Sequence, residues 1–261
     1  MNNIFDSHAH YTDKAFNEDR KSLLDSLKES GVCGLINCGA DLESSAFSVE
    51  LSKEYGFIYA ACGVHPEEID GLPENYIDTL SNMLQNEKCV AVGEIGLDYY
   101  WRKDNKELQK KIFEEQILLS KKLNLPIIVH DREAHEDTLE ILKKHKPKGV
   151  LHCFSGSVET AKEILKLGMY IGLGGALTFK NARKAVEVAE MLPLDRLLLE
   201  TDCPYMAPVP MRGKRNNSSY ISYISEKVAE IKGMDPQAVL DITTENAKTL
   251  FNIKKSCALG D

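Results

Sequence analysis

The sequence lacks any run of about 20 apolar residues, the length that a helix needs to cross a bilayer. Hydrophobic residues nevertheless make up 43% of its 261 positions, enough for a sizeable core. It also lacks a basic N-terminal segment followed by an apolar one, so we predict neither a membrane span nor a signal peptide. We expect a globular cytoplasmic protein.

Positive charge is in deficit. The chain has 40 acidic residues against 32 basic ones, which gives a net charge of −8 at pH 7. Proteins that coat nucleic acid are usually basic. A phosphate-bearing substrate would therefore have to be held by local cations or by a metal, not by the field of the whole molecule.

The seven cysteines are odd in number, and none belongs to a C-x-x-C pair. Four of them lie within or beside apolar runs: Cys33, Cys38, Cys62 and Cys89. We predict that these are small buried thiols in a reducing compartment.

What the sequence does contain is a regular alternation of short apolar runs with longer amphipathic segments. The β-branched content and flanking Gly or Pro of the apolar runs favour strands, and their near-continuous apolarity is typical of parallel strands buried on both faces. The predicted strands are 3–8, 33–39, 57–65, 88–96, 126–130, 149–154, 169–175 and 196–202. Helical spacing predicts helices over 17–30, 105–124, 133–146, 157–167, 179–192, 219–232 and 236–250.

Eight strands that alternate with helices predict a (β/α)₈ TIM barrel, a single domain over residues 1–252 with a short tail, 253–261. A doubly wound open sheet is the alternative. That fold would normally have a glycine-rich phosphate turn after its first strand, where this chain has DSHAH, residues 6–10.

Polar residues collect where the predicted strands end, at the barrel end that we call the mouth and where barrel enzymes place their active sites. Five of the seven histidines lie there, and so do two acidic residues, Glu94 and Asp202. The histidines are His8, His10, His65, His130 and His152. His8 and His10 are two residues apart, so in a strand both side chains point to one side and can hold one ion.

Each of these features has an ordinary explanation when taken alone. An H-x-H pair recurs by chance, a carboxylate at a strand end is often a helix cap, and a lone histidine can be a satisfied core residue. Together, so many polar groups at one mouth would be costly without a cation. We therefore predict a metal site.

Six ligands exceed the four of a tetrahedral site, so we predict two divalent ions about 3.5–4 Å apart. His8, His10 and Asp202 would hold one ion, His130 and His152 the other, and Glu94 would bridge them. The mixed donor set admits zinc, magnesium or manganese, as well as iron and cobalt.

Substrate contacts are expected from cations at the same mouth. Arg132 follows His130 by two residues, and Arg212 and Arg215 lie in the segment after strand eight. Arginine forks match phosphate oxygens, although a charge run is often only solvated surface. His65 either orients a ligand, contacts the phosphate or is a buried structural histidine. Trp101 either stacks on a base or covers a helix at the rim.

Seven motifs, in this order, resemble those of the TatD-related deoxyribonucleases of the metal-dependent amidohydrolase superfamily: DSHAH, GVHP, GEIGLDYY, VHDREAH, HCFSG, ETDCPY and RGKRN. The resemblance runs from about Ile4 to Phe251. It implies a (β/α)₈ fold, a divalent metal centre with the ligands predicted above, and phosphodiester hydrolysis on DNA.

The leading hypothesis is a deoxyribonuclease, an exonuclease that attacks DNA ends or single strands with a water activated by two metals. Asp202 would accept or relay the proton of that water, and Glu94 would support both ions. One alternative is a hydrolase of an ester, amide or lactone on the same barrel. Another is a non-catalytic protein whose metal centre only stabilises the fold. No protein partner is predicted.

Overall fold

The computed structural model describes residues 1–254. Its eight strands form one parallel sheet in sequence order. A parallel β-bridge between Ala9 and Cys203 links the first strand to the segment after the last. The strands are β1 Ile4–Ala9, β2 Val32–Cys38, β3 Ile58–Cys62, β4 Cys89–Asp98, β5 Ile127–Arg132, β6 Gly149–Leu151, β7 Tyr170–Leu173 and β8 Leu197–Leu199. This order and near closure confirm the predicted barrel and exclude the doubly wound sheet.

Helices lie between the strands and after the last one. They are α1 Arg20–Leu27, α2 Leu42–Glu54, α3 Tyr76–Met83, α4 Lys106–Leu123, α5 His135–His145, α6 Val158–Lys166, α7 Arg183–Met191, α8 Ile221–Lys232 and α9 Pro236–Leu250. None of these helices is long and apolar enough to cross a membrane. Helices α2 and α3 were not among the helices that helical spacing predicts.

The predicted strands β3, β6, β7 and β8 extend further toward the mouth than the observed ones, whereas β4 and β5 continue two residues further than predicted. Strand β6 ends at Leu151 and β8 at Leu199, so His152 and Asp202 lie just beyond them. The backbone leaves the extended conformation there, because Cys153 and Asp202 have positive φ angles of 43° and 56°. The single-domain boundary stays a prediction, and residues 255–261 of the predicted tail lie outside the described residues.

The barrel interior below the mouth is filled by apolar side chains from several strands. Ile36, Ala61, Ala91, Ile128 and Leu198 belong to one buried cluster. Ile128 precedes His130 by two residues, so both side chains point to the same side of β5. The interior is therefore a packed floor on which the polar residues of the mouth rest.

Three of the four cysteines predicted to be buried are buried: Cys38, Cys62 and Cys89. The prediction is wrong for Cys33, which is exposed. Cys33 lies near the start of β2, at the end of the barrel opposite the mouth, where its thiol donates to Asn3 Oδ1 at 3.4 Å instead of packing under a helix.

Candidate metal centre

Glu94, on β4, lies at the centre of the polar cluster and is only 3% exposed. Its Oε2 lies 3.3 Å from the Nε2 atoms of both His8 and His10. Its Oε1 lies 2.7 Å from His152 Nε2 and 3.0 Å from His130 Nδ1. The carboxylate therefore presents one oxygen to each of two histidine pairs. One pair belongs to β1 and the residue after it, and the other to β5 and the residue after β6.

Asp202 completes the side of the cluster formed by β1. Its Oδ1 lies 3.5 Å from His10 Nε2 and 3.8 Å from His8 Nε2. The backbone holds this arrangement, because the N–H of His10 donates to the Cys203 carbonyl at 2.8 Å and that of Asp202 to the His8 carbonyl at 3.0 Å. The structure thus brings all six residues predicted as ligands into one cluster.

His65, predicted at the mouth with its role left open, also belongs to this cluster. Its Nε2 lies 3.5 Å from Glu94 Oε1, and its ring meets that of His130 edge to face with centroids 4.3 Å apart. One ligand atom from each of these three residues lies within 4.8 Å of the others. His65 is therefore a candidate ligand or neighbour of a ligand, rather than an isolated structural histidine.

The donor set fits a divalent cation. In two further triads the ligand atoms also lie within 4.8 Å of one another: His8–His10–Glu94 and His8–His152–Asp202. The Nε2 atoms of His8 and His10 are only 2.8 Å apart and face the same carboxylate oxygen. Imidazole nitrogens and carboxylate oxygens are the ligands that zinc and related ions take in catalytic sites.

Both candidate carboxylates are ionised near neutral pH. Burial disfavours the charge of Glu94, but His152 and its neighbours hold the pKa of the carboxyl well below its usual range. Burial likewise opposes ionisation of Asp202, yet its hydrogen bond with His10 lowers the pKa. Burial lowers the pKa of His10, but Asp202 and Glu94 outweigh that effect and raise it to about 10. The carboxylates are thus in the form that binds a cation.

Asp98, at the end of β4, fixes the orientation of His130. Its Oδ2 lies 3.0 Å from His130 Nε2, the ring nitrogen that points away from Glu94. Its Oδ1 accepts the backbone N–H groups of Tyr100 and Trp101. A carboxylate behind a metal-binding histidine sets the ring orientation and raises its basicity. Strand alternation gives a signal for this residue, because Glu94 and Asp98 are separated by an even number of positions.

Glu200 lies behind His152, too far away for a hydrogen bond, and the sequence analysis missed it. It is fully buried, with one carboxylate oxygen 3.7 Å from His152 Nδ1 and hydrogen-bonded to the Cys153 N–H. Gly172 makes room for it, since a Cβ there would lie 2.3 Å from Glu200 Oε2. Glu200 directly follows the last residue of β8, where the sequence does not distinguish it from a solvated charge at a strand end.

The three predicted arginines have different environments. Arg132 is exposed, and its guanidinium lies 4.2 Å from the centroid of the Tyr100 ring. Arg212 is exposed and lies 3.9 Å from the centroid of Phe179. Arg215 instead donates both arms of its fork to the Asp19 carboxylate, at 2.8 and 2.5 Å. Its donors are therefore engaged within the protein rather than available at the mouth.

The barrel and the histidine–carboxylate cluster at its mouth define a metal-dependent hydrolase. A sequence model of the family described as TatD related DNase matches residues 5–252. The chain therefore belongs to the TatD-related DNase family.

Two curated relatives illustrate the similarity. Metal-dependent hydrolase YabD of Bacillus subtilis (strain 168) is 44% identical over 253 residues, which cover 96% of this chain and 99% of the relative. The 3'-5' ssDNA/RNA exonuclease TatD of Erwinia tasmaniensis is 33% identical, over 96% of this chain and 100% of the relative.

Solved structures of TatD-family proteins have the same fold as this chain. The crystal structure of the TatD homologue YjjV from Escherichia coli K12 superposes with a TM-score of 0.90 at 32% identity, covering 97% of this chain and 99% of that one. A TatD-family hydrolase from Entamoeba histolytica has a TM-score of 0.85 at 26% identity, covering 96% and 98%.

Proposed function

We propose that this chain is a deoxyribonuclease, an exonuclease that uses two divalent ions to hydrolyse phosphodiester bonds at DNA ends or in single strands. The observation that carries the proposal is the position of Glu94, whose two oxygens face two separate pairs of histidines. A single tetrahedral ion would not require so many donors around one carboxylate.

The residues divide between two ions as follows. His8, His10 and Asp202 would hold one, and His130 and His152 the other, with Glu94 shared between them. His65 lies close enough to Glu94 to assist on the second side. Zinc, magnesium or manganese ions held there would supply an activated water at neutral pH and neutralise charge on the phosphoryl oxygens.

Asp202 is the proposed proton acceptor. Its side chain is 19% exposed, against 4% for Glu94, so it is the more accessible of the two carboxylates. Its lowered pKa means that the carboxylate is ionised, the form required to accept or relay a proton from a water at the mouth. Glu94, buried among the histidines, would instead act by holding the centre together.

Arg132 and Arg212 are the proposed phosphate contacts, since neither guanidinium is ion-paired to another described residue of the chain. Arg132 is the last residue of β5, and Arg212 lies in the segment after β8. Arg215 is not included, because Asp19 occupies its fork. The net charge of −8 suits a strand end better than a long duplex footprint. The family description and the Erwinia relative's name support nucleic acid over a neutral substrate.

A cytoplasmic location belongs to the same proposal. Six cysteines lie among the described residues, and all six are free thiols. Free thiols are usual in a reducing compartment.

The test is hydrolysis of end-labelled DNA by protein that has been chelated and then reloaded with one metal at a time. We expect no cleavage after chelation, and progressive shortening of single strands from one end once a suitable ion returns. Duplex DNA, RNA and a panel of small esters, amides and lactones are assayed in parallel. Hydrolysis of a small substrate without cleavage of any nucleic acid would overturn the proposal in favour of the alternative hydrolase.

A further inference from the structure

Exposed aromatic side chains gather at the mouth. Among the described residues, the exposed aromatic side chains are Phe47, Tyr100, Trp101 and Tyr205. Phe47 lies on the outer helix α2, but the other three follow the strands β4 and β8. Trp101 is the most exposed of the four, at 59%. Apolar surface left open beside a catalytic centre marks a place where a ligand packs.

Arg132 joins Tyr100 and Trp101 into one surface, which we call the aromatic platform. Its guanidinium lies 4.2 Å from the Tyr100 centroid and 5.6 Å from that of Trp101, and the two rings meet at 87° with centroids 4.8 Å apart. The Arg132 side chain makes no hydrogen bond or ion pair within the described chain, so its N–H donors remain available. Arg132 covers one face of Tyr100, while Trp101 stays 59% exposed, so a free cation lies beside an open ring, which suits a phosphate next to a base.

Asp98 ties the platform to the metal centre. One of its oxygens accepts the N–H groups of Tyr100 and Trp101 at 2.9 and 2.8 Å, while the other lies 3.0 Å from His130 Nε2. Arg132 follows His130 by two residues and so leaves β5 on the same side. The same carboxylate therefore positions both a candidate ligand and the backbone that carries the aromatic rings.

We propose that the aromatic platform is a base-stacking subsite that takes an unpaired nucleobase adjacent to the scissile phosphate. The inference rests on the proposed nuclease function and adds a source of specificity to it. Bases inside a duplex already stack on their neighbours, so their faces are covered. A single-stranded or frayed end offers a free face for Trp101 or Tyr100, and its phosphate can meet Arg132.

Trp101 reports directly on this subsite, because it is the only tryptophan in the chain. The metal-loaded protein is titrated with phosphorothioate oligothymidylate or oligouridylate, which resist hydrolysis, and with a matched strand of abasic residues. We expect saturable quenching of tryptophan fluorescence by the base-bearing strands and none by the abasic strand. The two base-bearing strands show whether DNA, RNA or both occupy the subsite. Absence of quenching by either strand would overturn the proposal.

Trp101→Ala provides the kinetic test. Stacking on one base is worth enough to predict an increase in KM for single-stranded DNA of about 5- to 150-fold, with a small change in kcat. For the wild-type protein, KM should rise by a similar factor when the terminal base of the substrate is missing. For Trp101→Ala, KM should be the same with and without that base. Phe47→Ala is the matched control. Phe47 is also exposed, and the Arg20 guanidinium lies 4.8 Å from its ring centroid, but it lies on the outer helix α2 rather than at the mouth.

The outcomes separate this subsite from the function beneath it. Quenching by base-bearing strands without hydrolysis of any nucleic acid would retain the subsite and reject the nuclease. Hydrolysis of DNA with the same KM in wild type and Trp101→Ala would retain the nuclease and reject the subsite.

Discussion

Replacing Glu94 by glutamine is the sharpest test of the shared carboxylate. The substitution keeps the length and shape of the side chain, removes its charge and converts one oxygen into an amide donor. In the structure, one oxygen lies 3.3 Å from His8 Nε2, and the other lies 2.7 Å from His152 Nε2. An amide nitrogen cannot ligate a cation, so at most one side of the cluster keeps its oxygen ligand in Glu94→Gln.

The size of the effect follows from this geometry. We expect the metal content of Glu94→Gln to fall from two ions per chain to one or fewer. One ion contributes several kcal/mol to stabilising charge on a transferring phosphoryl group. Taking that as about 3–4 kcal/mol, and a factor of ten per 1.36 kcal/mol, hydrolysis should slow by about 150- to 900-fold.

The assay combines metal content, measured by mass spectrometry after dialysis, with the rate of hydrolysis of end-labelled single-stranded DNA. Circular dichroism confirms that the variant is folded. Glu187→Gln is the matched control, because Glu187 lies on the outer helix α7, its side chain is 47% exposed, and it pairs with Arg183 of the same helix at 2.9 Å. The bridging role is refuted if Glu94→Gln retains two ions per chain and hydrolyses DNA at the wild-type rate.

Two further substitutions test groups around and outside the centre. In Asp98→Asn, the amide oxygen can still accept the two backbone N–H groups, so the amide nitrogen points toward His130 Nε2. Its N–H then favours the His130 tautomer that carries the ring proton on Nδ1, and this tautomer cannot ligate a metal through Nδ1. The metal affinity, measured by competition with a chelating indicator, should fall about 10- to 100-fold. Lys143 and Lys166 hold the pKa of Glu163 at about 2, below the value of about 4.3 in an unfolded chain. The stability that these pairs supply is therefore present above about pH 4.3 and is lost as the pH falls toward 2. The melting temperature of Glu163→Gln should lie slightly below that of the wild type at pH 7, and the two melting temperatures should converge near pH 2. A difference in melting temperature that grows as the pH falls would contradict this.

The barrel could be predicted because its signals are local and repeated. Parallel strands buried on both faces are apolar along their length, so polar residues at their ends stand out. The rule that strand C-termini share one mouth then brings distant positions together without any knowledge of side-chain contacts. His8 and Asp202 are almost two hundred residues apart, yet the structure places them 3.8 Å from each other.

Some features of the site could not be predicted in this way. His65 was predicted at the mouth, but β3 stops at Cys62, so its contact with Glu94 and therefore its role depend on how the following loop turns. Glu200 looks like one more charge at a strand end until Gly172 is seen to leave space for it inside the barrel. Such details depend on packing between strands, which periodicity does not encode.

The arginines show how the same residue type acquires different roles through its neighbours. All three follow predicted strands, and the sequence alone does not distinguish them. Pairing with Asp19 occupies the fork of Arg215 and cancels its charge locally. Stacking on Tyr100 or Phe179 holds Arg132 or Arg212 in place through the ring face and leaves their N–H donors free. In a chain of net negative charge, any attraction for a phosphate has to come from a bound metal or from such positions, where an aromatic ring rather than a carboxylate supports the cation.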